Sequence, residues 1–229
     1  MREVTLSSGL AGINLSVIFH EVERGVRGLH TAIKGGAEKK YLEEQSSHLA
    51  RLLDGFAPLL KRNQQKTFAL SLLVERALEL SMHRFKYHKV VLSNPIVEGK
   101  GKDAEILGPF GLLQAAINNV VDNAIHWSRW QSEKEGTKAG VGVFCLTDFF
   151  EEGPALVVAD NGPGFQIDAD EAIQPFITTR TGGMGLGLYY ANMVMETIGG
   201  KLLIMTPDEL DLPNAYTGAA VVFVFTGGQ

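Results

Sequence analysis

Apolar residues recur every three or four positions through the first sixty residues, the spacing of one face of an α-helix. The first run ends at segment 34–37, where two consecutive glycines permit a reversal of the chain. A second run with the same spacing follows from Leu42 to Leu60. The pattern predicts two antiparallel amphipathic helices within residues 6–63. Because a lone hairpin cannot bury both apolar stripes, we expect a homodimer in which two hairpins form a four-helix bundle.

Beyond residue 63 the pattern changes to helices that alternate with β-rich runs. Helices are predicted at 68–84, 110–127 and 185–198, and strands at 89–94, 141–149, 155–159, 201–206 and 219–226. Such an order is typical of a two-layer α/β sandwich. The expected fold class is therefore α+β, with a helical hairpin in domain 1–65 followed by a sandwich in domain 66–229.

Composition excludes several classes of protein. The chain has 229 residues, of which 45% are hydrophobic and 21% charged, as in an ordinary globular protein. No run approaches the roughly 18 apolar residues of a membrane span, and the single cysteine, Cys145, excludes an internal disulfide framework. These features favour the cytoplasm. The net charge is -5 without a dense basic patch, so a nucleic-acid partner is not expected.

Two asparagines, Asn119 and Asn123, are the first candidates for chemistry. They lie four residues apart in the predicted helix 110–127, so their side chains share a face. Side-chain amide oxygens are hard ligands that suit Mg²⁺, which usually keeps several waters and also binds substrate phosphates. Alone, such a pair is more often a solvated helix face than a metal site.

A second cluster, Asp160-Asn161-Gly162-Pro163-Gly164, directly follows the predicted strand 155–159. A carboxylate at a strand end can accept a hydrogen bond from an exocyclic amine such as that of adenine. Glycines let the backbone approach a flat ring without an intervening Cβ. Alone, the same residues would equally fit a simple turn.

The third cluster is a glycine-rich run, 182–188, that opens the predicted helix 185–198. Backbone N–H groups at a helix N-terminus form a site for phosphate oxygens. The run is not a Rossmann fingerprint, because no strand precedes it. Nor is it a P-loop, because no Gly-Lys-Ser/Thr follows.

In this order, the three clusters resemble the N, G1 and G2 boxes of the ATPase family that unites gyrase, the Hsp90 chaperone, histidine kinases and the mismatch-repair protein MutL. Segment 175–180 resembles the F box that histidine kinases place before G2, and the resemblance covers about residues 66–228. It implies a site for ATP and Mg²⁺, in which Asn123 coordinates the metal, Asn119 assists and Asp160 holds the adenine amine. The other residues that it places around the nucleotide are His126, Trp127, Gly162, Gly164, Thr178, Arg180, Gly183, Gly185, Leu186 and Gly187.

The roles of several of these residues follow from the same resemblance. Gly162 and Gly164 would shape the base pocket, and the glycines of the third cluster would line the phosphates. Thr178 and Arg180 would sit on a short mobile lid, with Arg180 reaching the γ-phosphate. His126 stands where these kinases usually carry Lys or Arg, so a titrating group replaces a fixed charge.

The N box also bears on the kind of reaction. Hydrolytic members of the family place a Glu four residues before the Mg²⁺-binding Asn, where it activates water. Here that position is Asn119, whose amide cannot act as a base at neutral pH. Transfer of phosphate to a positioned acceptor is therefore favoured over hydrolysis.

The candidate acceptor is His20, followed by Glu21, in a segment that resembles the H box of histidine kinases. Helical geometry turns His20 roughly 155° away from the apolar stripe, towards solvent. Neutral imidazole is a competent nucleophile at physiological pH, and Glu21 could accept or orient its ring proton. The segment departs from the common pattern because Gly25, not Pro, follows shortly after the acid.

The chain is thus interpreted as the catalytic core of a sensor histidine kinase that uses ATP and Mg²⁺ and passes phosphate to an Asp of a response regulator. The alternatives left open are a nucleotide-dependent conformational switch that phosphorylates no histidine, a related kinase that acts on Ser, and a dimeric scaffold without activity.

Overall fold

The computed structural model describes the backbone of residues 16–60 and 64–226, and the side chains of residues 22–50, 53 and 64–226. Residue contacts divide the chain into two compact units, Met1–Arg62 and Asn63–Gln229. Among the described residues, no helix combines the length and the apolar character needed to cross a bilayer.

The N-terminal unit contains the two predicted helices, α1 (Ser16–Lys34) and α2 (Lys39–Leu60). The connection is a tight turn in which Gly36 has a φ of +69°, a conformation that suits glycine. Gly25 lies within a continuous α1, and a Cβ at Gly25 would come within 2.5 Å of the Leu49 side chain. The absence of a side chain at Gly25 therefore lets the two helices pack closely, with Leu49 buried between them.

The apolar stripe of α1 is largely uncovered in the single chain. Val26 and Ile33 are 53% and 57% exposed, and Leu53 on α2 is 55% exposed. His20 and Glu21 belong to α1, but their side chains lie outside the described residues. The predicted orientation of His20 therefore stays a prediction.

The C-terminal unit begins with a two-stranded ribbon and continues as a sheet covered by helices. Its helices are α3 (Leu70–His88), α4 (Phe110–Glu135), α5 (Ala169–Ala172) and α6 (Gly187–Thr197). Its strands are β1 (Gln65–Ala69), β2 (Val91–Ser93), β3 (Glu105–Pro109), β4 (Gly140–Phe150), β5 (Gly153–Asp160), β6 (Lys201–Met205) and β7 (Ala220–Val224).

The main sheet has five strands in the order β2-β4-β5-β7-β6. β2 runs parallel to β4, whereas the other neighbours are antiparallel. All six residues from Ala155 to Asp160 of the central strand β5 are buried. This position places the end of β5, and the second candidate cluster, in the middle of the sheet edge.

Helix α4 packs on β4 and β5, with α3 and α6 beside it. Its apolar face is fully buried, with Ile117 and Val121 at 0% exposure, and polar residues follow the opposite face. The other side of the sheet is covered by the segment 207–216, whose Leu210, Leu212 and Tyr216 pack on β5 and β7. The predicted two-layer α/β sandwich is confirmed.

The structure differs from the sequence prediction at the start of this unit. The predicted helix 68–84 begins two residues later, because Phe68 and Ala69 belong to β1, which pairs with β3. Neither β1 nor β3 was predicted. Phe68 packs edge-on against Phe110 with ring centroids 4.9 Å apart, so its apolar side chain serves the ribbon and not a helical stripe. Helix α4 also extends eight residues beyond its predicted end, to Glu135.

Candidate nucleotide site

The buried carboxylate of Asp160 ends the central strand β5. Its Oδ1 accepts hydrogen bonds from the backbone N–H of Gly162 (2.7 Å) and of Ala219 (3.3 Å). Burial raises the pKa of Asp160 to about 6, against the opposing effect of these two donors. Since both of these donors use Oδ1, Oδ2 can accept from a ligand amine. The sequence prediction for Asp160 fits this geometry.

Glycines surround this carboxylate where a side chain would not fit. A Cβ at Gly162 would lie 2.9 Å from Asp160 Oδ1 and 3.0 Å from Trp127, so the second cluster packs directly on α4. Gly218, just before β7, also abuts Asp160 Oδ1, and its N–H donates to the Asp160 carbonyl oxygen at 2.9 Å. The sequence analysis did not predict a role for Gly218. The only sequence signal for Gly218 was its position just before an apolar β-rich run.

Asn161 fixes the backbone beside the carboxylate. Its Oδ1 accepts from the N–H of Gly140 at 2.8 Å, and its Nδ2 donates to the carbonyl oxygen of Lys138 at 2.7 Å. These two bonds tie the cluster to the start of β4. Gly164, with a φ of +74°, then turns the chain away, and a Cβ there would lie 3.5 Å from the Gly218 carbonyl oxygen. We assign Asn161 a supporting role that its position within the motif did not reveal.

The first and third clusters meet at the N-terminus of α6. A Cβ at Gly187, the first residue of α6, would lie 3.6 Å from Cβ of Asn119 and 3.6 Å from Nδ2 of Asn123. Two amide side chains of α4 therefore lie beside the N-terminus of α6. Amide oxygens suit Mg²⁺ when phosphate oxygens and waters complete its shell, and helix N–H groups suit phosphate. The residues present thus fit a magnesium nucleotide.

The glycine-rich run folds back on the segment that resembles an F box. Gly185 has a φ of +66°, and a Cβ there would lie 2.5 Å from the carbonyl groups of Phe176 and Ile177. The Phe176 N–H donates to the Gly185 carbonyl oxygen at 2.9 Å, and Phe176 itself has a φ of +67°. Only glycine at position 185 permits this approach.

A second set of contacts closes the same loop. The Gly183 N–H donates to the Arg180 carbonyl oxygen at 2.9 Å, and Thr178 Oγ1 accepts from the Arg180 N–H at 3.1 Å. The predicted lid residues are thus held next to the glycines. The side chain of Leu186 is buried. The prediction that Leu186 contacts the nucleotide therefore concerns its backbone and stays a prediction.

The predicted γ-phosphate residue, Arg180, reaches α4. Its Nη1 donates to Oδ2 of Asp122 at 2.9 Å, and Arg84 from α3 forms an ion pair with Oδ1 of the same carboxylate. Neither Asp122 nor Arg84 was singled out from the sequence. The spacing of Asn119, Asp122 and His126 on one face of α4 was the available signal.

His126 is half-buried beside these arginines. Burial, followed by the charges of Arg180, Arg129 and Arg84, lowers the pKa of His126 to about 4. The ring is therefore neutral at pH 7, so it supplies a polar contact and no positive charge, unlike the Lys or Arg it was expected to replace. Trp127, also half-buried, makes an edge contact with His126, with ring centroids 4.9 Å apart.

Three comparisons bear on this site. Residues 110–226 match the family model described as "Histidine kinase-, DNA gyrase B-, and HSP90-like ATPase". A 75-residue segment is 39% identical to the C4-dicarboxylate transport sensor protein DctB of Pseudomonas aeruginosa, over 31% of this chain and 11% of that protein. The chain therefore spans only a small part of this relative.

Two solved structures share the fold. The mycobacterial sensor histidine kinase MprB has a TM-score of 0.57 at 23% identity, over 72% of this chain and 98% of its own. The Acinetobacter baumannii histidine kinase AdeS has a TM-score of 0.58 at 17% identity, over 92% of this chain and 98% of its own. At these identities the likeness concerns the fold.

Proposed function

Because the chain belongs to the family of histidine kinase-, DNA gyrase B- and HSP90-like ATPases, we propose that it is the catalytic core of a sensor histidine kinase. The observation that supports this proposal is that α4 contacts both other motifs: its Trp127 packs against Gly162 beside Asp160, and its Asn119 and Asn123 lie beside Gly187 at the N-terminus of α6. These groups complement an adenine amine, a magnesium ion and a phosphate chain in that order. In this proposal three motifs that are separate in the sequence contribute to one nucleotide site.

In this proposal Asp160 accepts a hydrogen bond from the adenine amine, in the pocket bounded by Gly162, Gly164 and Trp127. Asn123, assisted by Asn119, holds Mg²⁺, which neutralises phosphate charge when bound. The N–H groups from Met184 to Gly187 bind the phosphate oxygens, and Gly183, whose N–H donates to the Arg180 carbonyl oxygen, lines the same loop. Catalysis rests mainly on positioning and electrostatic stabilisation, since phosphoryl transfer asks for little covalent chemistry from the protein.

The acceptor in this proposal is His20. A bond forms between an imidazole nitrogen and the γ-phosphorus as the bond to the β-phosphate bridging oxygen breaks and ADP leaves. Glu21 orients the ring and takes up its proton. The phosphoryl group then passes to an Asp of a response regulator. Asn119 at the position of the hydrolytic Glu favours this transfer over attack by water. The cytoplasm is the compartment that supplies both ATP and such a partner.

The experiment is phosphorylation of the purified chain with γ-labelled ATP and Mg²⁺. Acid-labile, base-stable label on the wild type, lost in His20→Gln and in Asn123→Ala, would support the proposal. His30→Gln is the matched control, because it makes the same substitution further along α1 and should retain the label. Persistence of the label in His20→Gln would refute His20 as acceptor.

The same assay separates the rival functions. Nucleotide binding without label would favour a conformational switch, because the site would be intact and transfer absent. Acid-stable label would indicate phosphorylation of Ser. Absence of any nucleotide binding would leave only a scaffold.

We further propose that the N-terminal unit forms a homodimer. The support is the exposure of Val26 and Ile33 on α1 and of Leu53 on α2, apolar side chains that a second hairpin would cover. Val26→Glu should convert the chain to a monomer in sedimentation analysis while nucleotide affinity stays unchanged. Leu80→Glu is the control, since Leu80 is a similarly exposed apolar residue on α3. Dimers that survive Val26→Glu would contradict the proposal.

A further inference from the structure

Asp122 lies on the face of α4 that carries the proposed metal ligands. It follows Asn119 by three residues and precedes His126 by four, so all three side chains lie along one face of the helix. A carboxylate at this position has three conceivable roles: a metal ligand, a general base, or an anchor for cations.

The contacts of Asp122 decide among these roles. Oδ1 pairs with Arg84 from α3, and Oδ2 accepts from Nη1 of Arg180 at 2.9 Å. Both carboxylate oxygens already contact guanidinium groups, so the contacts in the structure favour the role of an anchor for cations. Asp122 therefore acts as an anchor for the two arginines.

The arrangement leaves positive charge beside the glycine-rich run, whose Gly183 N–H donates to the Arg180 carbonyl oxygen. Two guanidinium groups share one carboxylate, so the three side chains carry a net charge of +1. Each is about seven-tenths buried, with side-chain exposures of 28% for Arg84, 31% for Asp122 and 29% for Arg180. Burial, and then the charge of Arg180, lowers the pKa of Arg84. An anion placed here relieves that repulsion.

Asp122 is not needed to shape the loop that carries Arg180. The backbone of Arg180 is already held by Thr178 Oγ1 and by the Gly183 N–H. What Asp122 adds is the direction of the guanidinium group. It does the same for Arg84, which comes from a different helix and from outside the three motifs.

We propose that Asp122 is a positioning residue that holds Arg84 and Arg180 as a pair of guanidinium groups for the terminal phosphate of ATP, which makes Arg84 a further phosphate-binding residue. This inference rests on the proposed function of the site, and it names how the site distinguishes a triphosphate from a diphosphate. Guanidinium groups bind phosphate through paired, charge-assisted hydrogen bonds, which depend strongly on orientation.

The test is calorimetric titration of the full chain with ATP and with ADP, each with Mg²⁺. Wild type should bind ATP more tightly than ADP by about tenfold, the value of one charge-assisted contact. Asp122→Asn and Arg84→Gln should each remove most of that preference while ADP affinity stays within about twofold. Asp122→Glu should restore part of the preference, because it keeps the carboxylate.

Two control variants remove similar groups elsewhere. Asp148→Asn breaks an exposed ion pair with Lys102, and Arg76→Gln breaks one with Glu79. Both should keep the wild-type preference for ATP. The double variant Asp122→Asn, Arg84→Gln should lose little more than either single variant, because the two residues act as one unit.

The outcomes are distinct. An unchanged preference in Asp122→Asn overturns the inference and leaves the proposed function intact. An equal loss of ATP and ADP affinity also overturns it, because it would assign Asp122 a structural role for the whole site. Wild type that binds neither nucleotide overturns the proposed function and the inference with it.

Discussion

The two units of this chain differ in how far their apolar helix residues are buried. In the C-terminal unit, Ile117 and Val121 of α4 are fully buried between a sheet and neighbouring helices of the same unit. In the N-terminal unit, Val26 and Ile33 of α1 are more than half exposed, although α1 is the more strongly amphipathic of the two helices. An amphipathic pattern thus predicts a helix but not what covers it. The C-terminal unit carries its own core, whereas the apolar stripe of α1 stays largely exposed in the single chain.

The largest expected effect comes from replacing one isoleucine by alanine in each unit and comparing the two variants. Ile117→Ala should cost the C-terminal unit about 4 kcal/mol of unfolding free energy, because it opens a cavity in a fully packed core. Ile33→Ala in the N-terminal unit should leave the unfolding free energy of the C-terminal unit unchanged and should instead weaken self-association of the chain. Denaturant unfolding followed by tryptophan fluorescence checks the first result, since both tryptophans, Trp127 and Trp130, lie in α4.

Equal effects of the two substitutions on that fluorescence transition would contradict the comparison. They would mean that the hairpin and the sandwich unfold as one cooperative body. Sedimentation of Ile33→Ala over a range of concentrations supplies the complementary readout.

A smaller effect is expected at the buried carboxylate of the C-terminal unit. Burial raises the pKa of Asp160 from 3.8 to about 6, so the folded state holds its proton more tightly than the unfolded chain does. Stability from this group is therefore present below about pH 4 and falls as the pH rises to about 6. Asp160→Asn should remove this loss, which is on the order of 2 to 3 kcal/mol at neutral pH.

The same variant should lose its affinity for ATP, because an amide nitrogen in place of Oδ2 donates where adenine needs an acceptor. Parallel measurements of unfolding at pH 5 and pH 8 and of ATP binding check both results. A variant less stable than wild type at pH 8 would contradict the sign of the effect.

Two glycines with the same backbone conformation give a closer comparison. Gly36 in the hairpin turn has a φ of +69° and open space around it, so Gly36→Ala should cost only the left-handed strain, about 1 kcal/mol. Gly185 has a φ of +66°, but a Cβ there would meet the carbonyl groups of Phe176 and Ile177 at 2.5 Å. Gly185→Ala should therefore cost more unfolding free energy and should displace the glycine-rich run 182–188.

Unfolding by denaturant and titration with ATP separate the two glycine variants. Gly36→Ala should bind ATP as wild type does, whereas Gly185→Ala should bind it weakly. Similar binding by both would show that the loop tolerates the displacement.

The smallest effect is expected at surface ion pairs, where the two units are alike. Lys39 and Glu43 form an exposed pair on α2, and Arg76 and Glu79 form one on α3. Glu43→Gln and Glu79→Gln should each leave the denaturation midpoint unchanged, since water and salt screen exposed charges. A large shift in only one unit would mean that charge, and not apolar burial, distinguishes them.

Much of the candidate nucleotide site could be proposed from the sequence because its residues lie in short, ordered motifs. Asp160, the asparagine pair and the glycine-rich run each carried a local signal, and their order along the chain carried a stronger one. Arg84 and Gly218 carried almost none, since a lone arginine on a helix and a lone glycine before a strand fit many structures. They join the proposed site only because α3 packs beside α4 and β7 pairs with β5.

The ribbon of β1 and β3 likewise depends on contacts between distant segments and not on a local sequence pattern. Phe68 fits a helical stripe as well as it fits a strand, because one apolar residue has no period. Pairing with a segment some forty residues away decides the matter. His126 is a similar case for charge. A histidine can be protonated near neutral pH, but burial and the nearby arginines keep His126 neutral.

The sequence by itself determined the helices of the hairpin, the alternation that builds the sandwich and the motifs that form the candidate nucleotide site, because each follows from periodicity or from local backbone chemistry. Only the tertiary structure decided which apolar stripe is covered, which charges share a carboxylate and how tightly a buried acid holds its proton. Those properties depend on distances between segments far apart in the chain, and burial and electrostatic energy follow those distances and not the order of the residues.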